Sequence, residues 1–391
     1  MSLSDAHYFE EMGVKKYEEI RPLLDSREKK DKLEGMKRLM AMISIGRDAS
    51  AFFPDVVKQV ISDSLEVKKL AYQFLTHYAE AKSNEALLCI NTFQKDLNDT
   101  NQLIRSSALR VLTSIRVPII AQLQTMAVKQ CVRDSSAYVR KAAAHAVAKV
   151  HALDPEQSEA LEELVQVLLQ DTSTMVLGSA VAAYNEVCPH KWELIHPNFR
   201  KIVRLCADTD EWGQIMLLNM LTRYGRLFFT APDADKDGSE EPAVDKKKKK
   251  KKSKKTFYSD DESSSSSETS SSSEDEEEEE DLDPDHAMLL SSTSPLLRSR
   301  NAGVVVAVGT LFHYLAPTSQ VIKAGKSLVR VLKSNRETQY LVLSSIVTLV
   351  HTRKEMFDGT AKEFFLRAHD CTCSALLKLE ILRCRRVGLK L

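Results

Sequence analysis

The chain is 391 residues long, with 55 basic residues against 55 acidic ones and only 6% aromatics. That length can bury a large core, while the zero net charge conceals two opposed blocks and so excludes little about partners. No run of ~18 consecutive apolar residues occurs, which excludes a membrane-spanning helix.

The opening residues, MSLSDAHYFEEMG, lack the basic start and apolar run of a signal peptide. The first 45 residues read as one or two polar helices with an apolar seam of Leu33, Met36, Leu39, Met40 and Ile43. Four stretches then repeat one pattern at spacings of 35 to 37 residues. They are Val67-x3-Ala71-x2-Phe74-x3-Tyr78, Ile104-x3-Ala108-x2-Val111-x3-Ile115, Val139-x3-Ala143-x2-Ala146-x3-Val150 and Val176-x3-Ala180-x2-Ala183-x3-Val187. Offsets of four, seven and eleven put each set on one helical stripe, and the recurring alanine lets a neighbouring helix approach closely. A fixed period of this length, one helix pair per unit, predicts an all-α solenoid of HEAT or armadillo type.

First helices are expected near 51–61, 84–97, 118–132, 158–170 and 197–207, with Pro54, Pro118 and Pro197 in first turns, where proline is tolerated. Their partners are expected near 65–81, 102–115, 137–153, 174–188 and 211–228. The short connections force antiparallel neighbours.

An aspartate precedes each stripe: Asp63, Asp99, Asp134 and Asp171. Each falls in the turn before a second helix, where free N–H groups and the helix dipole favour a carboxylate. A base follows the β-branched residue in the first three, namely Lys68, Arg105 and Arg140. Stacking would set each base beside the aspartate of an adjacent repeat, as a ladder of ion pairs. Carboxylates one repeat apart sit ~10 Å from one another, too far for shared acid–base chemistry.

Residues 1–229 are thus expected to form a helical trunk, interrupted by a disordered insert at 230–284. The insert holds lysines at 246–252, 254 and 255, then a serine-rich acidic tract from Ser259 with no apolar core residue up to 281. The lysines suit a solvated tether, a nuclear-import signal, or contact with anionic lipid or nucleic acid. Few aromatics lie nearby for stacking bases, so no nucleic acid is expected. Ser265, Ser271, Ser272 and Ser273 each have an acid three residues on, the pattern of an acidophilic kinase, and are candidate phosphorylation sites.

The trunk is expected to resume over 285–391. The stripes Val304-x3-Val308-x2-Leu311-x3-Leu315 and Tyr340-x3-Ser344-x2-Val347-x3-His351 flank a first helix near 319–333, and a last pair is expected at 354–367 and 373–386. No polar capping repeat follows, which implies a partner at that end or a longer natural protein.

No phosphate-loop, dinucleotide, zinc-protease or hydrolase-elbow motif is present, and no cofactor or catalytic residue is expected. Seven cysteines (Cys89, Cys131, Cys188, Cys206, Cys371, Cys373 and Cys384) are an odd number, scattered through apolar segments. They read as reduced core thiols of a cytosolic protein, and their spacing does not suit structural zinc.

Several stretches resemble the β-adaptins, the β subunits of heterotetrameric vesicle-coat adaptors. They are Tyr138-Val-Arg-Lys-Ala-Ala-Ala-His145, Leu153-Asp-Pro-Glu156, Glu211-Trp-Gly-Gln214 before Met220-Leu-Thr-Arg-Tyr224, and Asn335-Arg-Glu-Thr-Gln-Tyr340. Residues Asn101–Ile120 and Leu328–Arg336 more closely resemble the β subunits of adaptor protein complex three, and a charged insert in the trunk suits that group.

The resemblance implies a non-enzymatic trunk that pairs with a second large adaptin and cradles the medium subunit, with the small subunit completing the complex. It implies a cytoplasmic complex, peripheral on Golgi or endosomal membranes, that binds cargo tails indirectly and sorts transmembrane cargo toward lysosomes and related organelles. An Arf-class small GTPase and phosphoinositides are the implied recruiters. Tyr8-Phe9 resembles an aromatic pair that helps cover a cargo-signal site in a related adaptor. Lys29, Lys30, Lys32, Lys37 and Arg38 are candidate membrane-facing bases, with a solvated helix face as the alternative. Family members continue through more trunk, a hinge and an ear, whereas Arg383–Leu391 departs from that continuation, as a splice variant or a truncated gene model would. A helical-repeat nuclear-transport receptor and a chromatin scaffold are the rival readings.

Overall fold

The computed structural model describes residues 19–230, 282–368 and 370–386. Tyr8, Phe9, the lysine block and Ser265, Ser271, Ser272 and Ser273 lie outside the described residues. Within the described residues every regular element is helical, so the expected all-α solenoid is what forms.

Successive helices pair. α1 (Ile20–Asp25) precedes α2 (Lys29–Ser44), α3 (Phe53–Gln59) precedes α4 (Leu65–Tyr78), and the split α5 (Ser83–Leu87) and α6 (Ile90–Asp96) precede α7 (Gln102–Leu112). Next come α8 (Ala121–Val132) with α9 (Ala137–Leu153), α10 (Ser158–Leu169) with α11 (Thr174–Val187), and α12 (Phe199–Leu205) with α13 (Glu211–Phe228). Beyond the insert are α14 (Pro284–Thr293) with α15 (Ala302–Leu315), α16 (Thr318–Val331) with α17 (Arg336–Thr352), and finally α18 (Thr372–Arg386). The second helices α2, α4, α7, α9, α11, α13, α15, α17 and α18 pack side by side in chain order, and the first helices cover one side of that layer.

The repeated stripes are the core. Val67, Ala71, Phe74, Ala108, Val139, Ala143, Val150, Val176, Ala180, Val304, Val308 and Leu311 are all fully buried. Burying such side chains is worth about 1.5–3 kcal/mol each for the larger ones. Stacking is also fixed by polar ties between pairs. Gln124 donates from Nε2 to the carbonyls of Leu112 and Ile115, at 2.7 and 2.9 Å, fastening α8 to the end of α7.

The stack runs unbroken from α13 to α15. The rings of Phe229 and His286 lie parallel with centroids 4.9 Å apart, Arg226 sits 4.3 Å over the ring of Tyr314, and Arg200 donates to Asp285 at 2.7 Å.

Three local expectations are corrected. The helix expected at 354–367 is two short 3-10 turns, Lys354–Phe357 and Ala361–Phe364, because Gly359 between them takes φ 76°, which no α-helix accommodates. The stripe placed on Tyr340, Ser344, Val347 and His351 is one residue out of register at every position but Val347. Of its four positions only Val347 is buried, beside Val342, Leu343, Ile346, Leu349 and Val350, whereas Tyr340 is 46% exposed; a single residue turns a helix by ~100°. Cys371 and Cys373 are exposed and not core thiols, unlike the buried Cys89, Cys131, Cys188 and Cys206. Burial pushes the thiols of Cys131 and Cys206 up to about 12, far from reactive thiolates.

Candidate interaction surfaces

The aspartates are set by the turns ahead of the second helices. Asn101, Ser136 and Ser173 are the N-caps of α7, α9 and α11, in extended conformation. Two residues earlier, Asp99, Asp134 and Asp171 each accept the backbone N–H of that cap residue, at 2.8, 2.8 and 2.9 Å. The carboxylates therefore brace the turn and do not cap the first-turn N–H groups directly. Before α4 this place belongs to Ser62, whose Oγ accepts from Ser64 N at 3.3 Å, so Asp63 is one residue out of line with the other three.

Across the stack, Arg105 donates to both oxygens of Asp134, at 2.8 and 2.9 Å, and Arg140 to both oxygens of Asp171, at 2.6 and 3.2 Å. Each arginine also donates from Nη1 into its own turn. Arg105 reaches the carbonyls of Asp99 and Thr100, and Arg140 those of Asp134 and Ser135. One planar guanidinium thus locks two consecutive turns.

Lys68 does not reach Asp99. Its Nζ meets Asp96 at 2.8 Å, and the hydroxyl of Tyr72 donates to the other oxygen of the same carboxylate. A lysine is a point charge that needs no forked acceptor, and the Asp96 carboxylate at the end of α6 is the buried one.

Burial alone would raise the carboxyl of Asp134. The hydrogen bonds from Arg105 and from Ser136 N–H, with the charges of Arg105 and Arg140, outweigh it and leave the carboxyl lowered. Asp171 is lowered by the same contest, with Arg140 as its partner. A carboxyl depressed in the folded state contributes stability above its unfolded pKa of ~3.9 and loses that contribution as pH falls through the folded value. Asp134→Asn is accordingly expected to cost about 1.5–3 kcal/mol at neutral pH. In urea titrations at several pH values the gap to wild type should hold from about pH 5 to 8 and narrow below about pH 4. A gap that widens in acid contradicts this.

Among the candidate membrane-facing bases, Lys29 and Lys30 are exposed at the start of α2, while Lys32, Lys37 and Arg38 are half-buried. Arg38 is engaged by Glu34 at 2.5 Å and Glu19 at 3.5 Å, so the cluster is partly neutralised. Lys30 and Lys37, seven residues apart, share one side of α2.

Large apolar side chains gather at exposed places that the sequence reading had not singled out. Trp212 and Met216 lie on adjacent turns of α13, 78% and 42% exposed, and Met175 is exposed at the start of α11. The backbones of α11 and α13 touch nearby: a Cβ on Gly178 would lie 2.5 Å from the Cα of Gly213. Exposed tryptophan and methionine beside each other mark protein-contact surfaces. Among the described residues no group of three His, Cys, Asp or Glu side chains is placed to hold a metal, and no helix is long and apolar enough to cross a membrane.

The family described as "Adaptin N terminal region" matches residues 13–383. The chain belongs to that family. Among its adaptin relatives, the AP-3 complex subunit beta of Dictyostelium discoideum is 48% identical over 97% of this chain and 35% of that protein. The AP-3 complex subunit beta-1 of Homo sapiens is 46% identical over 94% of this chain and 32% of its own length. The chain thus spans about a third of the length of these adaptins. The fold superposes on a chain of a homology model of the full-length AP-3 complex in an intermediate open conformation, with TM-score 0.60 and 27% identity, covering 94% of this chain and 58% of that one.

Proposed function

We propose that this chain is an N-terminal trunk segment of a β subunit of an AP-3-type adaptor complex and acts in vesicle-mediated protein transport by binding other subunits. The observation that carries the reading is 46–48% identity to AP-3 β subunits across nearly the whole described stack. The surfaces agree in kind. The chain offers large helix layers and exposed apolar contacts such as Trp212 and Met216, which suit surface recognition by a second large adaptin and by medium and small subunits. Its role is scaffolding, without chemistry of its own.

The finer parts of the reading follow the family. The trunk would comprise 1–229 and 285–391 around a charged insert at 230–284. Recruitment would run through an Arf-class GTPase and phosphoinositides at Golgi or endosomal membranes, with Lys29, Lys30, Lys32 and Lys37 adding modest attraction to anionic lipid. Ser265, Ser271, Ser272 and Ser273 would be phosphorylated, deepening the negative block.

Affinity capture of the tagged chain from cells, followed by mass spectrometry, tests the reading. Recovery of a second large adaptin together with medium and small subunits is the expected result. Recovery of a Ran-type GTPase or of histones, with no adaptin, overturns it in favour of a transport receptor or a chromatin scaffold.

A further inference from the structure

A groove of roughly 710 Å³ opens on the second-helix layer, lined from α2 by Met40 and Ile43, from α4 by Lys69 and His77, from α7 by Arg110, and from α9 by Lys149. No carboxylate lines it. Lys69, Arg110 and Lys149 are all exposed, and among the described residues none of them is ion-paired. Arg110 instead sits 5.7 Å from the ring centroid of Tyr138, and Lys149 donates to Ser114 Oγ at 3.1 Å.

The positive charge extends past the groove. The ammonium of Lys149 is lowered by partial burial and then by the charges of Arg110 and Arg116. The ring of His145 is lowered by burial and then by Lys141, Arg110 and Lys149. The acid facing this group is Asp210, 3.3 Å from Lys141, at the α13 edge of the cluster. Such a concentration of like charge costs the folded chain unless an anion completes it.

We propose that this groove is the docking site of the chain's own acidic tract, residues 259–281. Charge is the first argument. The tract carries twelve carboxylates, against nine lysines in the neighbouring block at 246–255, so an excess of negative charge is left after those lysines are matched. Tethering is the second. Second helices run parallel, and His77, Ser114 and Lys149 lie at or near the C-terminal ends of α4, α7 and α9. The described residues stop at Thr230, beyond α13 at that same edge, and resume at Leu282, before the N-terminus of the antiparallel α14. Two helix spacings separate α13 from α9, ~20 Å. The roughly thirty residues from Thr230 to Ser259 can span up to ~95 Å and the fourteen from Glu268 to Leu282 up to ~45 Å, so both tethers let the Asp260–Glu268 part of the tract reach the groove. Met40 and Ile43 on one wall leave the floor partly apolar and favour an extended peptide backbone over a compact ion. The inference stands apart from the adaptor reading, because it rests on the groove and the tract alone.

Zero-length carbodiimide cross-linking of the intact chain at low concentration, mapped by mass spectrometry, tests it. Equal parts of light and isotope-heavy protein separate links within one chain from links between copies. Links from Lys69 or Lys149 to acids in 260–274, within single copies, are expected. Arg110→Ser, which cannot itself form a link, should reduce them roughly fivefold by removing one groove charge. Its thermal unfolding should match wild type, since Arg110 lies on the surface. Links from the tract confined to Lys246–Lys255 or to lysines outside the groove overturn the proposal. So do groove links found only between light and heavy copies, or links unaffected by Arg110→Ser.

Discussion

Asp96→Ala is expected to lower the unfolding free energy by about 3–5 kcal/mol. Lys68 and Asp96 are both buried, at 9% and 5% exposure, and their contact spans 2.8 Å between α4 and the end of α6. Tyr72 donates its hydroxyl to the same carboxylate, and burial together with Asp96 pushes the phenol far above its ordinary value. Removing the carboxylate strands an ammonium and a phenol in a site walled by Phe93, whose ring packs edge-on against Tyr72 at 5.7 Å. A buried charge without its partner costs far more than the intact pair contributes. The double variant Lys68→Met/Asp96→Leu, which removes both charges, should recover most of the loss. Urea midpoints of the three proteins decide the matter. A double variant as unstable as Asp96→Ala would show that shape rather than charge governs the site.

Gly178→Val should be comparably severe, at about 3 kcal/mol or more. The added Cβ would sit 2.5 Å from Gly213 Cα, a backbone atom that cannot rotate away. The reverse change, Gly213→Ala, drives its Cβ to 2.5 Å from Asp210 Oδ1, the atom that accepts Gly213 N–H at 3.3 Å and caps α13. These two glycines set how closely α11 and α13 approach. Denaturant titration of Gly178→Val is the check, and a loss below about 0.5 kcal/mol would mean that the two helices can part without strain.

The repeat architecture is legible in the sequence because one packing problem is solved the same way several times. A buried stripe at offsets of four, seven and eleven, an alanine at the closest approach and a short turn recur in step, so each copy reinforces the others. The reading fails where a copy departs from that solution. Tyr340 has the right spacing from Val304 but the wrong face, since its neighbour Leu343 outcompetes Ser344 for the core. The last first helix is lost to Gly359, whose positive φ a sequence pattern of apolar residues does not reveal.

The surfaces are less legible for a geometric reason. Lys69, Arg110 and Lys149 stand two, six and ten positions after Val67, Ile104 and Val139. Steps of four keep them on one side of their helices while moving each one turn further along. No repeated motif marks them, and only the stacking of α4, α7 and α9 brings them to a single groove. Trp212 stands within a resembling stretch and Met216 just after it, but their exposure depends on how α13 lies against α11.

The native mass of the assembly recovered on the tagged chain is the most direct measurement. A complex holding one copy each of this chain, a second large adaptin, a medium subunit and a small subunit is the predicted result. A chain recovered alone at its own 44.0 kDa, or in an assembly without any other adaptor subunit, would contradict it.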